Sequence, residues 1–180
     1  YYGVSPDLIA YGKGLGGGFP IGAYGGRSEI MEAVNENRLP GPNYAWSAST
    51  TGGNPVSSAA ALAAIDIFSE PGFYDRLHSL GKQLRSSLCV SLSQADETAQ
   101  VLGDGPLAQA VFLNRPVLSH RDWLAADRNR GRAVMLELLR FGVFLNPMGT
   151  KLYLSLAHGA KEIEEITSRF TEALHRTRKD

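Results

Sequence analysis

One cysteine in 180 residues excludes an internal disulfide. Cys89 stands in Leu84-Arg85-Ser86-Ser87-Leu88-Cys89-Val90, where a buried helix position is expected, and its isolation points to a reducing, cytoplasmic compartment. Charge of neither sign is in surplus: 18 Lys and Arg balance 18 Asp and Glu. That balance argues against nucleic acid or an anionic membrane as partner. No apolar run is long enough to span a bilayer. The four histidines, His78, His120, His158 and His175, are scattered without metal spacing, so no metal site is expected. An initiator methionine and a signal-peptide charge pattern are both lacking. The opening Tyr1-Tyr2-Gly3-Val4 reads as the middle of a domain, so the chain is expected to be the C-terminal part of a longer polypeptide. What is present is 43% hydrophobic residues, enough for a core in one domain or two small ones.

Lys13 carries the most information. A mostly apolar run, Leu8 to Tyr11, delivers it into Gly12-Lys13-Gly14-Leu15-Gly16-Gly17-Gly18-Phe19-Pro20. Lysine normally lies on a solvated face. Held at a strand end in tight backbone, an amine is expected to lose solvation, fall in pKa and become a nucleophile. Such amines form Schiff bases with carbonyls, of a substrate or of pyridoxal phosphate (PLP). The same residues also read as a Gly-rich surface loop with a solvated lysine.

Two phosphate motifs are excluded. A P-loop needs glycine five residues before the Gly-Lys pair and Ser or Thr after the lysine; Asp7 and Gly14 stand there. Gly12, Gly14 and Gly17 fit G-x-G-x-x-G, but that fingerprint must open a helix, and Pro20 forbids a helix interior.

Further along, Leu8 to Tyr11 and Ile21 to Tyr24 read as strands. Ser28 can cap a short helix through Val34. Pro55 suits the first turn of a helix continuing from Val56 to Phe68, whose small apolar residues predict close burial. Glu70-Pro71-Gly72 marks a boundary between domains 1–70 and 71–180. Phe73 to Leu92 is amphipathic, with Phe73, Leu77, Leu80, Leu84 and Leu88 at helical spacing. Val101 to Leu113 reads as a strand region, Arg121 to Arg140 as a long helix with a solvated arginine face (Arg128, Arg130, Arg132), and Ala160 to Thr177 as a closing helix. Val143 to Leu145 and Leu152 to Leu156 read as strands joined by Asn146-Pro147-Met148-Gly149-Thr150. The second part is thus a small α/β layer.

A second constellation is Ser47-Ala48-Ser49-Thr50-Thr51-Gly52-Gly53-Asn54-Pro55. Hydroxyls and glycine amides immediately before a helix start form a natural phosphate cradle. An ordinary N-cap loop would use only one such hydroxyl or amide. Tyr44 and Trp46 flank this loop and serve either packing or a substrate pocket. His158 reads as a capping or solvated side chain.

Tyr1 to Leu8, Gly12-Lys13, Gly16 to Ala23 and Thr50 to Pro55, continued weakly through Leu154-Ser155-Leu156-Ala157-His158, together resemble the class III, fold type I PLP-dependent aminotransferases. The branch containing glutamate-1-semialdehyde aminomutase is the most similar. The resemblance implies an α/β fold: the end of a PLP-binding large domain (1–70) and a small C-terminal α/β domain (71–180). It implies that Lys13 forms the Schiff base with pyridoxal 5'-phosphate. It implies that Thr50, with Ser49 beside it, contacts the phosphate of a neighbouring subunit in a homodimer. The expected activity is amino transfer between an amine or amino acid and a carbonyl acceptor. Three departures stand out. The carboxylate pairing with the pyridine nitrogen lies upstream of Tyr1 in the family. The arginine that binds an α-carboxylate in many members is replaced by Thr150-Lys151-Leu152-Tyr153. The aminomutase glutamate before the Leu-Ser-x-Ala-His strand is also absent, as Thr150-Lys151 stands there. Aminomutation, racemisation or decarboxylation on the same scaffold, and an inactive truncated chain, are the alternatives.

Overall fold

The computed structural model describes residues 2–39, 41–146 and 149–178. It divides into two compact units, Tyr1–Pro71 and Gly72–Asp180. Tyr1 of the opening motif, and Pro147 and Met148 of the 146–150 connection, lie outside the described residues.

In the first unit, β1 (Leu8–Tyr11) pairs antiparallel with β2 (Ala23–Gly26), with Leu8 opposite Gly26 and Tyr11 opposite Ala23. Gly26 is required there, because a Cβ would lie 2.2 Å from the Asp7 carbonyl oxygen. A short helix α1 (Ser28–Met31) follows and tightens into a 3-10 turn, Glu32–Val34. Ser28 is its first residue rather than its cap, and Arg27 at the cap position makes no side-chain cap. Arg27 instead bridges Asp7 at 3.1 Å and Glu29, fastening the hairpin to α1. Helix α2 (Pro55–Phe68) starts as its residues dictate: Asn54 Oδ1 accepts from the Ser57 N–H at 2.9 Å, and Pro55 takes the first position.

The expected close burial of α2 is not found. Only Ser57, Ala61 and Ala64 are buried, one narrow stripe, while Leu62 is 64% exposed and Val56 59%. Small apolar residues permit close packing on every side, and among the helices and strands of this unit the turn at Lys13–Gly16 is the one that packs most against the helix.

The second unit holds the core. The long helix α3 (Phe73–Gln94) buries Leu84, Leu88 and Leu92 on one stripe. Cys89 falls beside that stripe and is exposed, contrary to expectation. β3 (Gln100–Leu102), β4 (Leu107–Val111) and β5 (Lys151–Tyr153) form an antiparallel sheet in the order β3-β4-β5. Glycine at position 81 lets the long helix approach the turn before β4: a Cβ would lie 1.9 Å from the Gly105 carbonyl oxygen. Arg85 donates to that carbonyl and to the Leu107 carbonyl.

The expected helix Arg121 to Arg140 is two helices, α4 (His120–Leu124) and α5 (Arg128–Arg140). Asp127 makes the break. Its N–H donates to the Phe112 carbonyl at 2.9 Å, while its carboxylate caps α5 by accepting from the Arg130 N–H. The arginine face is not uniformly solvated. Arg130 is mostly buried, ion-paired with Glu97, and donates to the carbonyls of Thr177 and Leu174 at 2.9 Å each. It ties the head of α5 to the tail of α6 (Ala160–Arg176). Val143–Leu145 forms no strand; only Asn146 bridges to Lys151. Val134, Leu138, Phe170 and Leu174 complete the core with Ala108, Ala110 and Leu152. No helix among the described residues is long and apolar enough to cross a membrane.

Candidate active site

Lys13 opens the 3-10 turn Lys13–Gly16, two residues beyond the end of β1. Its φ is +51°, in the left-handed region that non-glycine residues rarely occupy. Such conformations persist only where surrounding structure over-determines them, and they cluster at active sites and ligand clamps. Here the surrounding structure is a chain of tight turns: the N–H groups of Leu15, Gly17 and Phe19 donate to the carbonyls of Gly12, Gly14 and Gly16. Gly16 is buried, and a Cβ there would lie 2.8 Å from Ile21 Cγ2.

The expected desolvation of the amine is not supplied by this unit, since Lys13 is exposed. The reason is local. Its neighbours Gly14, Gly17 and Gly18 have no side chains to cover it, and a Cβ on any of them would meet no atom within 4 Å. The lysine therefore stands exposed, with open space beside its neighbouring glycines. Its ammonium has no hydrogen bond or ion pair among the described residues.

The second segment is anchored at both ends. At its start, Ala45 N–H donates to the Ala33 carbonyl, and Tyr44 meets Trp46 edge to face at 6.3 Å. The Tyr24 hydroxyl on β2 donates to Ser47 Oγ. At its end, Asn54 Nδ2 donates to the Thr51 carbonyl at 3.0 Å, and Gly52 N–H donates to the Ser49 carbonyl. Between these anchors Ser49, Thr50 and Thr51 are exposed. Neither the Ser49 nor the Thr50 hydroxyl has a partner among the described residues.

The contribution of the helix end is smaller than the sequence suggests. Pro55 has no N–H, and Asn54 already takes that of Ser57, so only Val56 keeps a first-turn N–H for a ligand. An anion here would rest chiefly on the hydroxyls. The turn at Lys13 packs against α2, so both candidate segments border one helix.

The Tyr24–Ser47 contact was not read from the sequence. The two residues are 23 positions apart, and nothing in their local patterns joins them. His158 is confined to its own loop, where its Nδ1 lies 3.1 Å from the Ser155 N–H. Among the described residues no group of three or more His, Cys, Asp or Glu converges in a metal-binding arrangement.

The residues present fit a carbonyl cofactor bearing a phosphate. A primary amine without a partner stands exposed among glycines that leave open space beside it, and the Ser49 and Thr50 hydroxyls have no partner among the described residues. Comparisons with known proteins agree. A family model described as class-III aminotransferase matches residues 1–174. Glutamate-1-semialdehyde 2,1-aminomutase of Pelotomaculum thermopropionicum is 37% identical over 164 residues, covering 91% of this chain and 37% of that protein. An omega-transaminase from Sphaerobacter thermophilus superposes with a TM-score of 0.83 at 36% identity, over 96% of this chain and 39% of that one. A transaminase solved with PLP bound superposes with a TM-score of 0.82 at 26% identity, over 97% and 39% respectively. The chain thus spans about two fifths of the length of the relatives it matches.

Proposed function

The chain belongs to the class-III aminotransferase family, and on that premise we propose that it is part of a PLP-dependent aminotransferase in which Lys13 is the covalent anchor of the cofactor. The observation that carries this reading is Lys13 itself: a partnerless amine, held at left-handed φ two residues beyond the end of β1, among bare glycines. When bound, PLP supplies an electron sink that stabilises negative charge on the amino-bearing carbon. Lys13 Nζ would hold the cofactor in the resting protein and, when not so engaged, would serve as the base that carries the proton at the amino-bearing carbon of the substrate. Thr50 donates its hydroxyl to the phosphate, assisted by Ser49. These contacts cross to the other subunit of a homodimer, so that Lys13 and Thr50 serve opposite sites. Tyr1–Pro71 then belongs to the large, cofactor-binding domain and Gly72–Asp180 to the small domain. The substrates are small amines and carbonyl compounds, handled in the cytoplasm.

Aminomutation is the second reading, supported by the curated relatives' names. One observation favours transfer over it. Thr150-Lys151 stands where the aminomutase pattern places a glutamate: Thr150 is buried with its hydroxyl donated to the Ala110 carbonyl, and Lys151 carries the opposite charge. Neither residue offers a carboxylate to a substrate. Borohydride reduction of the PLP-loaded protein, followed by peptide mapping, tests the anchor. Label on the Lys13 peptide is expected; label on Lys82 or Lys151 instead would sink the assignment.

A further inference from the structure

A cleft of about 210 Å³ lies in the second unit between β4 and the corner where α4 meets α5. Its floor is apolar, formed with Phe112 and Met135, and Trp123 forms a wall. That wall is braced: the His120 ring stacks on Trp123 at 5.6 Å, and the Arg128 guanidinium lies 4.9 Å from the indole centroid. Arg128 and Arg132 both line the cleft, one helical turn apart on α5.

Their ion pairing sets them apart from the other arginines of α5. Arg130 is ion-paired with Glu97 and Arg140 with Glu137 at 2.8 Å. Arg128 and Arg132 have no carboxylate partner among the described residues. Two like charges one turn apart repel unless an anion joins them. The Arg128 guanidinium lies over the indole and its N–H groups have no acceptor among the described residues, an arrangement suited to a carboxylate. The one carboxylate that lines the cleft, Asp127, is turned to its own helix, accepting from the Arg130 N–H. It limits the favourable charge to that of a monoanion. The Thr150 hydroxyl is spent on the Ala110 carbonyl, so the charged recognition falls to the two arginines.

We propose that this cleft binds a small monocarboxylate carrying a flat apolar body, with Arg128 and Arg132 on the carboxylate, Phe112 and Met135 under the body and the edge of Trp123 beside it. The proposal rests on Gly72–Asp180 alone and is independent of the role given to Lys13. The test is a titration of the whole protein with benzoate. It is followed by the indole N–H resonance of Trp123, assigned through Trp123→Phe. A saturable shift is expected, with a Kd of about 1 mM or below. Benzamide, equal in shape but uncharged, should bind at least about tenfold more weakly. Arg128→Ala should weaken benzoate by about tenfold or more, the scale of a lost hydrogen bond to a charged group. Arg128→Lys should recover only part of the loss, because the planar fork is gone. Both arginines are exposed, so their replacement leaves the fold intact. A non-saturating shift, equal binding of benzamide, or unchanged binding in the Arg128→Ala, Arg132→Ala double variant would each overturn the proposal.

Discussion

Among the described residues, every side chain of the main core cluster lies in Gly72–Asp180, whereas Tyr1–Pro71 buries only Ala61 and Ala64 among its apolar side chains. The candidate residues divide the opposite way: Lys13, Ser49 and Thr50 are all in the first unit. One unit is shaped by packing and the other by backbone. Tight turns through Gly12–Phe19, the β1–β2 pairing and the capped end of α2 give the first unit its form without a core of its own. This division has a chemical logic. A cofactor site needs open backbone and uncommitted polar groups, which a packed core excludes. It also implies that substitutions should separate cleanly into chemical and structural effects.

The sharpest test of that separation is Lys13→Ala. It should abolish turnover and the covalent attachment of PLP, since no other amine stands among those glycines. Stability should change by no more than about 0.5 kcal/mol, because Lys13 is exposed and partnerless. Thermal unfolding alongside activity distinguishes the two effects. A large loss of stability would break the comparison by making Lys13 structural.

Arg130→Ala is the converse in the second unit. It leaves Glu97 without its partner and removes donors from the Thr177 and Leu174 carbonyls. Loss of about 3 kcal/mol is expected, the lower end for breaking a buried pair, because some solvent reaches this one. Denaturant unfolding measures it, and the folded fraction should still attach PLP at Lys13. Loss of attachment without loss of stability would mean that the second unit does chemistry as well.

Thr50→Ala tests the first unit again, at smaller amplitude. Losing one hydrogen bond to a charged phosphate weakens binding by about 1.5–3 kcal/mol, roughly one to two orders of magnitude in cofactor affinity. Stability should be untouched, since the Thr50 hydroxyl has no internal partner. Unchanged PLP affinity, measured by equilibrium titration, would remove Thr50 from the site.

What the sequence disclosed follows the same division. β1 is legible to the residue, and α2 is announced by Asn54-Pro55, because strand ends and caps are local chemistry. The Lys13 and Thr50 segments stand out because a lysine among glycines and a run of hydroxyls before a helix are unusual combinations. Long-range effects were hidden. The break in Arg121–Arg140 depends on Asp127 reaching Phe112, and the burial of Arg130 depends on Glu97, 33 residues away. Exposure of Cys89 turned on helical phase: Leu88, its neighbour, took the buried stripe. Exposure of Lys13 turned on what its glycines lack, which a pattern of residue types reads as tightness rather than openness.

The smallest effect concerns how the second unit is held at its surface. Glu162 Oε2 accepts from the Gly159 N–H at 2.8 Å, at the head of α6. That hydrogen bond first, then its own backbone N–H, with the charges of Lys161 and His158 adding, holds its carboxyl below the ordinary value of 4.5. A depressed carboxylate stabilises the fold fully above its unfolded value and ceases to as pH falls through its folded value. Glu162→Gln keeps an acceptor but removes the charge that a helix N-terminus favours. The variant should therefore be less stable than the parent at pH 7, with a gap that narrows below about pH 4.5 and closes once the parent is protonated. Asp122, held low chiefly by the Ser119 hydroxyl, titrates in the same direction. It is common to both proteins and cancels in their difference. Unfolding of parent and variant across pH 3–7 measures that difference. A constant gap over the whole range would show that Glu162 acts through its shape alone, and that packing holds the second unit even at this surface cap.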